Sequence, residues 1–542
     1  MKIFTSKIFL ALLFLFSMGY LKAQHAEDPI TNVYKVGGSA EIFIAYSTAG
    51  NTFTKQGILD VPENLNDIVK EEDASQYKFM SIRRTASATG DFNGDGTDNV
   101  VTVRNSESGG IKITIPLIGE DLIMDGEREY VAEELNTMSY TRLRICTGNF
   151  DRDIEDEFVV CYGYPGEPLR VHIFETDEDL NIKLLEKYES ITYCDHLFDI
   201  SAGDMDGDGI DEIAVVRNEA LPTENSTAVN PPIFISHYDI YVLKYDTLAK
   251  EIVVLSKTPP DYEVVNPQMP SGEDWWYSPN NMLINEMRIA CGDLNLDGKD
   301  EMVVGWSNYY SHNRYWSWVY RYRYHDALFL NTFRLDPESI DIENVQNMHL
   351  GSTYFGERSF PASQDIALSL KCEQLDNLGR DEVLISGSSA FYVLGSTGSG
   401  MDLEVKSTVT GSGGYLNIGG NENFIVADLN PDTARLNFNK EVILLLSNQA
   451  TLNQLNKVAD VPLFSILTLD TISADTVVFA SPGPAHDLPF GDDDIEISAM
   501  QSGDFDLKNA DIYMIGTPEI IPVFKLQYPL VVLTHHRCIL MC

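Results

Sequence analysis

Short apolar runs punctuate this chain, and each is entered from a cluster of Asp, Asn and Gly. Asn99-Val100-Val101-Thr102-Val103, Ile213 to Val216 and Glu441 to Leu446 are β-branched and almost continuously apolar, as in strands covered on both faces. Tyr238 to Tyr245 and Phe391-Tyr392-Val393-Leu394 predict further strands. Ahead of the acidic clusters stand small residues, Ser87-Ala88-Thr89, Ser201-Ala202 and Ala290-Cys291. Strand periodicity on both sides of the clusters predicts an all-β protein.

The clusters share one grammar. Gly203-Asp204-Met205-Asp206-Gly207-Asp208-Gly209-Ile210-Asp211-Glu212 places carboxylates at alternate positions, a glycine at the sixth place and an acid at the ninth. A hard cation wants about six to eight oxygens, which a short loop supplies when alternate side chains point inward and a glycine permits the turn. The stretches opening at Asp91 and Asp293 repeat the pattern, and the one opening at Asn149 keeps it without the turn glycine. Worn versions begin at Gln374, Asp428 and Asp504, so first positions recur at intervals of 58, 55, 89, 81, 54 and 76 residues. Such a period marks a repeat architecture. An EF-hand needs a bidentate Glu at the twelfth place and helical flanks, but Thr102, Val160, Val215 and Val304 stand there and strands flank the loops. Plain acidic turns without metal are the other account.

The string Gly-Asp-x-Asn/Asp-x-Asp-Gly-x-Asp-Glu/Asn followed by apolar residues resembles the FG-GAP or VCBS repeat, known from integrin α-chain heads and many secreted bacterial proteins. The resemblance implies a seven-bladed β-propeller, one four-stranded blade per repeat, with Ca2+ in the loop between the first and second strands of a blade. Small residues before the loops then suit the crowded axis of the ring. By the same resemblance Asp91, Asn93, Asp95, Asn99 and the Thr97 carbonyl share one ion. Asp204, Asp206, Asp208, Glu212 and the Ile210 carbonyl hold a second, and Asp293, Asn295, Asp297, Glu301 and the Lys299 carbonyl a third. Asn149, Asp151, Asp153 and Glu157 form a fourth site. Asp98, Asp156, Asp211 and Asp300, at the eighth place, are expected to hold the loops by hydrogen bonds.

Charge sharpens the picture. The 542 residues carry 82 acidic and 38 basic side chains, a net charge of -44, which repels phosphate backbones and excludes nucleic acid as a partner. Lys2 and Lys7 flank an apolar run from Ile8 to Phe16, and Ala23 offers a cleavage site, so residues 1–23 read as a signal peptide and the mature chain as exported. No other window is apolar enough for a transmembrane span. Residues 31–533 make up the predicted propeller, in which Val33 to Tyr46 closes the blade containing Asp504. The tail 534–542 departs from what precedes it and reads as a shifted reading frame, so its two cysteines and paired histidines are not taken as a metal site.

Candidate ligand chemistry lies in the aromatic and Pro-rich stretches. Residues 218–285 read as an insertion bearing Trp275-Trp276-Tyr277, and Trp316, Trp318, Tyr320, Tyr322 and Tyr324 alternate as on one side of a strand, first as rings packed between blades and second as a sugar-stacking platform. Cys146 and Cys161 could bridge the first hairpin of one blade, or be free buried thiols. No HExxH, GxSxG or Walker loop is present, and Gly395 to Gly400 reads as a flexible turn. The expected function is a binding or adhesion module for a protein or glycan ligand, with a polysaccharide lyase or glycosidase on the same ring as the alternative.

Overall fold

The computed structural model describes residues 85–105, 111–118, 124–132, 142–163, 168–191, 197–222, 234–258, 283–316, 319–336, 338–358, 368–375, 379–387, 390–396 and 401–410, together with the strands of residues 33–69 and 414–541 named below. Among the described residues every regular element is a β-strand.

Five four-stranded antiparallel sheets follow one another along the chain, each a simple meander. Thr85–Gly90, Asn99–Asn105, Ile111–Ile118 and Met124–Ala132 form the first, and Arg142–Gly148, Glu157–Gly163, Leu169–Thr176 and Ile182–Ile191 the second. Phe198–Gly203, Glu212–Pro222, Phe234–Asp246 and Glu251–Lys257 make the third. The fourth consists of Leu283–Gly292, Glu301–Trp316, Val319–Leu335 and Ile342–Arg358, and the fifth of Ser369–Glu373, Glu382–Ser386, Ala390–Ser396 and Leu403–Thr410. First strands of successive sheets lie side by side in chain order. All five line one central cavity of about 340 Å³, whose walls include Ala88, Cys146, Ser201, Ala290 and Lys371. The arrangement is propeller-like, and the small residues ahead of each loop stand at its axis.

Burial explains the apolar second strands. Every residue of Glu157–Gly163 is buried. Phe158, Val160 and Tyr162 pack against the first sheet, whereas Val159 and Cys161 pack against the third. Ile213 and Val215 likewise join the core with the second sheet, and Ala214 and Val216 the core with the fourth. Alternate side chains thus enter alternate inter-sheet cores, and burying each contributes about 1.5–3 kcal/mol. Further cores lie between the fourth and fifth sheets and between the fifth sheet and Phe424, Val426 and Val442.

Beyond residue 410, Glu441–Asn448 pairs with Gly414–Leu416, Phe424–Ala427 and Leu463–Leu467, and Ile495–Gly503 pairs with Asp511–Pro518. Ile495–Gly503 lies beside both Phe424–Ala427 and Thr85–Gly90. Glu41–Thr48 pairs with Thr52–Asp60 on one side and Cys538–Met541 on the other, and both Glu41–Thr48 and Cys538–Met541 neighbour Asp511–Pro518.

Some expectations change in detail. Within 218–285, residues up to Pro222 finish a second strand, and Phe234–Asp246 and Glu251–Lys257 are the third and fourth strands of their sheet. Trp316 and Tyr320 do not share a strand: Glu301–Trp316 and Val319–Leu335 form a hairpin in which Trp316 faces Val319 and Tyr315 faces Tyr320. Cys146 and Cys161 are both free, because the register sets Cys146 opposite Val159 and Cys161 opposite Arg144. Trp275, Trp276 and Tyr277 fall outside the described residues.

Candidate metal centres

Each acidic loop joins a first strand to a second strand and is built around its first side chain. Asp204 Oδ1 accepts the N–H groups of Gly207 at 2.8 Å and Asp208 at 2.9 Å, and its Oδ2 accepts that of Gly209 at 2.9 Å. Asp293 accepts from Leu296, Asp297 and Gly298 in the same way, and Asp91 from Asp95 and Gly96. To turn these N–H groups inward the fourth residue adopts a left-handed φ, 67° at Gly94 and 77° at Gly207. Arg152 and Leu296 take the same conformation, at 73° and 67°, despite their side chains. The fifth residue accepts the N–H of the seventh: Thr97 to Asp95, Ile210 to Asp208 and Lys299 to Asp297, at 2.8 to 3.0 Å.

The second place carries a buried apolar peg, Phe92, Phe150, Met205, Leu294 and Leu375. Its N–H is taken by the ninth residue: Phe92 by Asn99, Phe150 by Glu157, Met205 by Glu212, Leu294 by Glu301 and Leu375 by Glu382. The peg is readable as an apolar residue recurring one step after the first acid in every copy, a regularity the ligand pattern alone overlooks.

The eighth-place aspartates act between loops. The Asp156 carboxylate accepts the N–H of Asp91, Asp211 that of Asn149, Asp300 that of Asp204 and Asp381 that of Asp293, at 2.9 to 3.1 Å. In return the N–H of each donates to the carbonyl of the same partner. Every described loop from 149 onward is thus clasped to the loop before it. The fifth loop keeps its clasp and its ninth-place bond although Gln374 and Leu378 replace the acids at its first and fifth places. The clasp does not depend on acids at the first and fifth places.

The four predicted sites differ in what they bring together. Asp151, Asp153 and Glu157 offer carboxylate oxygens that all lie within 4.8 Å of one another, and so do Asp204, Asp206 and Asp208. Among the described residues no cation pairs with Asp151, Asp153 or Glu157, while Asn149 Nδ2 donates to the Asp153 carbonyl and Asn149 Oδ1 accepts the Arg152 N–H. The second loop therefore fits a hard divalent cation. In the first loop Asn93 donates to Asp95 at 2.9 Å, and its Oδ1, the ligand atom expected there, is buried without a hydrogen-bond partner. A cation would satisfy that oxygen. In the fourth loop Asp293, Asp297 and Glu301 do not converge as those of the second and third do, and Asn295 Nδ2 donates to Glu301 Oε1 at 2.7 Å.

The third loop already contains a positive charge. Lys244 Nζ lies 2.6 Å from Asp206 Oδ2, 2.9 Å from Asp208 Oδ2 and 2.6 Å from Glu212 Oε1. Burial works against the ammonium, but the hydrogen bonds it donates to the three acids outweigh it and raise the lysine pKa. Only strand register places Lys244 here, since it follows the Ile213 and Leu243 pair and so faces Glu212.

Burial raises several acids of these loops, taking Glu212 to about 7 even beside Lys244. Burial, then the neighbouring Asp151, pushes Glu157 up to about 8 and Asp153 up to about 6. Burial takes Glu301 to about 8, and burial with the facing Asp381 takes Asp300 to about 7. A positive charge placed beside acids raised in this way would favour their ionised form.

No protein-family model matches the chain, and no curated protein matches it. Among solved structures it is similar to AofleA from Arthrobotrys oligospora, at 10% identity and a TM-score of 0.32 over 76% of this chain and 90% of that one. It is also similar to extracellular domains 1-2 of Drosophila Semaphorin 1b, at 9% identity and a TM-score of 0.30 over 77% of this chain and 85% of that one.

Proposed function

We propose that this chain is an exported, seven-bladed propeller of FG-GAP type, stabilised by calcium, that serves as a binding module for a protein or glycan. The observation carrying the calcium reading is the convergence of Asp151, Asp153 and Glu157, with which no lysine or arginine among the described residues pairs, joined by the partnerless Asn93 Oδ1 in the preceding loop. Calcium, when bound, supplies charge that offsets the repulsion of these acids. The chain's own residues do the rest: the first-place side chain folds the loop, the ninth-place acid fixes the peg, and the eighth-place aspartate ties one loop to the last. These ions are structural.

The binding face lies opposite the loops. Each first strand runs toward its loop, so strands that lengthen at their far ends extend the other face. Glu301–Trp316 and Val319–Leu335, at 16 and 17 residues, are more than twice the 7 of Glu157–Gly163. Their extension bears Tyr309, Tyr310, Tyr315, Trp316, Tyr320, Tyr322 and Tyr324. The connection containing Trp275 and Trp276 leaves from Lys257 and returns at Leu283, at the same end of the sheets. Aromatic residues gathered in the sequence at this end of the sheets suit recognition of sugar faces or apolar protein surface.

The test uses the mature chain. Calcium should raise the melting temperature, by the equivalent of about 2.7 kcal/mol per site at a hundredfold excess over Kd, and Asp153→Asn should reduce the gain. A melt unchanged by excess chelator would overturn the calcium reading. Glycan and protein arrays probed with wild type and with Trp316→Ala should show a ligand that the variant binds less well. Equal binding by both would remove the hairpin from the binding face.

A further inference from the structure

We propose that the Lys244 ammonium is the resident cation of the third loop, filling the place that calcium takes in the second, so that this loop is ordered without metal. The inference deepens the calcium reading above and rests on it. By sequence the third loop is the most complete copy, with acids at its first, third, fifth and ninth places and glycines at its fourth and sixth. A ligand pattern alone would rank it first.

Geometry reverses that ranking. An ammonium has three donors, and here they meet three carboxylate oxygens at 2.6 to 2.9 Å, from the third, fifth and ninth places. Other oxygens of the cage are also taken. Both Asp204 oxygens accept loop N–H groups, and Glu212 Oε2 accepts from Met205 and Asp206. A calcium ion entering would have to displace an ammonium tethered to the adjacent strand, which competes at high effective concentration.

The neighbouring loops add to this. Arg152, from the second loop, bonds to the Asp208 carbonyl and stands 3.8 Å from its carboxylate. Lys299, from the fourth loop, donates to the Asp206 carbonyl at 2.7 Å. Three side-chain cations therefore converge on the third loop, and the second loop gives up its own arginine to it. The equivalent place in the second and fifth sheets holds no cation, and in the fourth it holds one that is engaged elsewhere. Following the Phe158 and Phe174 pair it is Glu175, and following Val383 and Leu394 it is Gly395. Following Met302 and Phe333 it is Arg334, which turns to Glu343 at 2.8 Å.

The experiment compares wild type with Lys244→Met, which keeps most of the apolar stem. Calcium titration calorimetry should give the variant one more ion per chain than wild type. In chelator the variant should melt below wild type, and calcium should close the gap. A variant that binds no more calcium than wild type overturns the proposal. Should Lys244→Met fail to fold, hydrogen exchange on wild type decides: residues 204–212 should keep the same protection in calcium and in chelator, while residues 149–157 lose protection in chelator. Equal loss in both segments overturns the assignment of Lys244. No calcium response at 149–157 overturns the calcium reading instead, and an added ion in Lys244→Met would still uphold the lysine's role.

Discussion

Asp211 reaches back 62 residues to hold Asn149: its Oδ2 accepts the Asn149 N–H at 2.9 Å, and its own N–H donates to the Asn149 carbonyl at 2.9 Å. The strand end before Asn149 is shaped for this contact. A Cβ on Gly148 would stand 2.5 Å from that carboxylate oxygen and 3.0 Å from the Ala202 Cβ. Glycine is required there by close approach, since its φ is not among the positive values.

Removing the clasp should be costly. Asp211→Ala leaves a half-buried N–H without its charged acceptor and is expected to lower stability by about 1.5–3 kcal/mol. Asp211→Asn, which keeps an accepting oxygen, should lose less, and Gly148→Ala should also destabilise. Urea denaturation of the three variants checks this. An Asp211→Ala midpoint equal to that of wild type would contradict it.

Leu296 occupies a left-handed position with φ 67° that its counterparts fill with Gly94 and Gly207. Its side chain is 49% exposed, so little packing offsets the strain. Leu296→Gly is expected to stabilise the chain by about 1 kcal/mol. Thermal denaturation should show a rise in melting temperature, and a fall would mean that the approach of Leu296 Cδ2 to Gly379, where an added Cβ would stand 3.0 Å away, outweighs the backbone cost.

Arg144 sits at the axis with Nε 2.8 Å from Asp199 Oδ1 and Nη2 3.6 Å from Glu286 Oε1, all three side chains under one-tenth exposed. Arg288 also bonds to Glu286, and Asp199 accepts the Ile289 N–H at 3.0 Å. Arg144→Met should cost about 3–5 kcal/mol, because it leaves buried carboxylates uncompensated. A loss below about 1 kcal/mol in chemical denaturation would show that Arg288 alone suffices.

The pH dependence follows from the raised acids. In chelator Glu157 and Glu301 titrate near 8 when folded, against an ordinary value of 4.5. Between those limits the folded chain binds more protons than the unfolded one, so stability falls as pH rises. The melting temperature in chelator should therefore drop steadily from about pH 5 to about pH 8. Calcium should flatten the curve by favouring the ionised acids. Parallel curves with and without calcium would detach these glutamates from any metal.

Much of this architecture is legible along the chain because it is written locally. A turn needs its glycines and inward acids within a few residues, and a strand covered on both faces needs an apolar run, so Asp204 to Val216 announces both. Relationships across strands are not written that way. Lys244 meets Glu212 only through the register of two strands, and nothing near either residue marks the pairing. The Asp211 clasp spans two repeats, so the eighth-place acids suggest hydrogen bonding without naming the partner. Alternation from Trp316 to Tyr324 looks like one strand because a tight hairpin between Trp316 and Val319 preserves the period while reversing the chain.

The fifth loop shows what the clasps permit over longer spans of change. Asp381 and Glu382 still fasten it to its surroundings after the acids at its first and fifth places have gone. A glutamine and a leucine can thus stand at those two places without opening the joint between neighbouring loops.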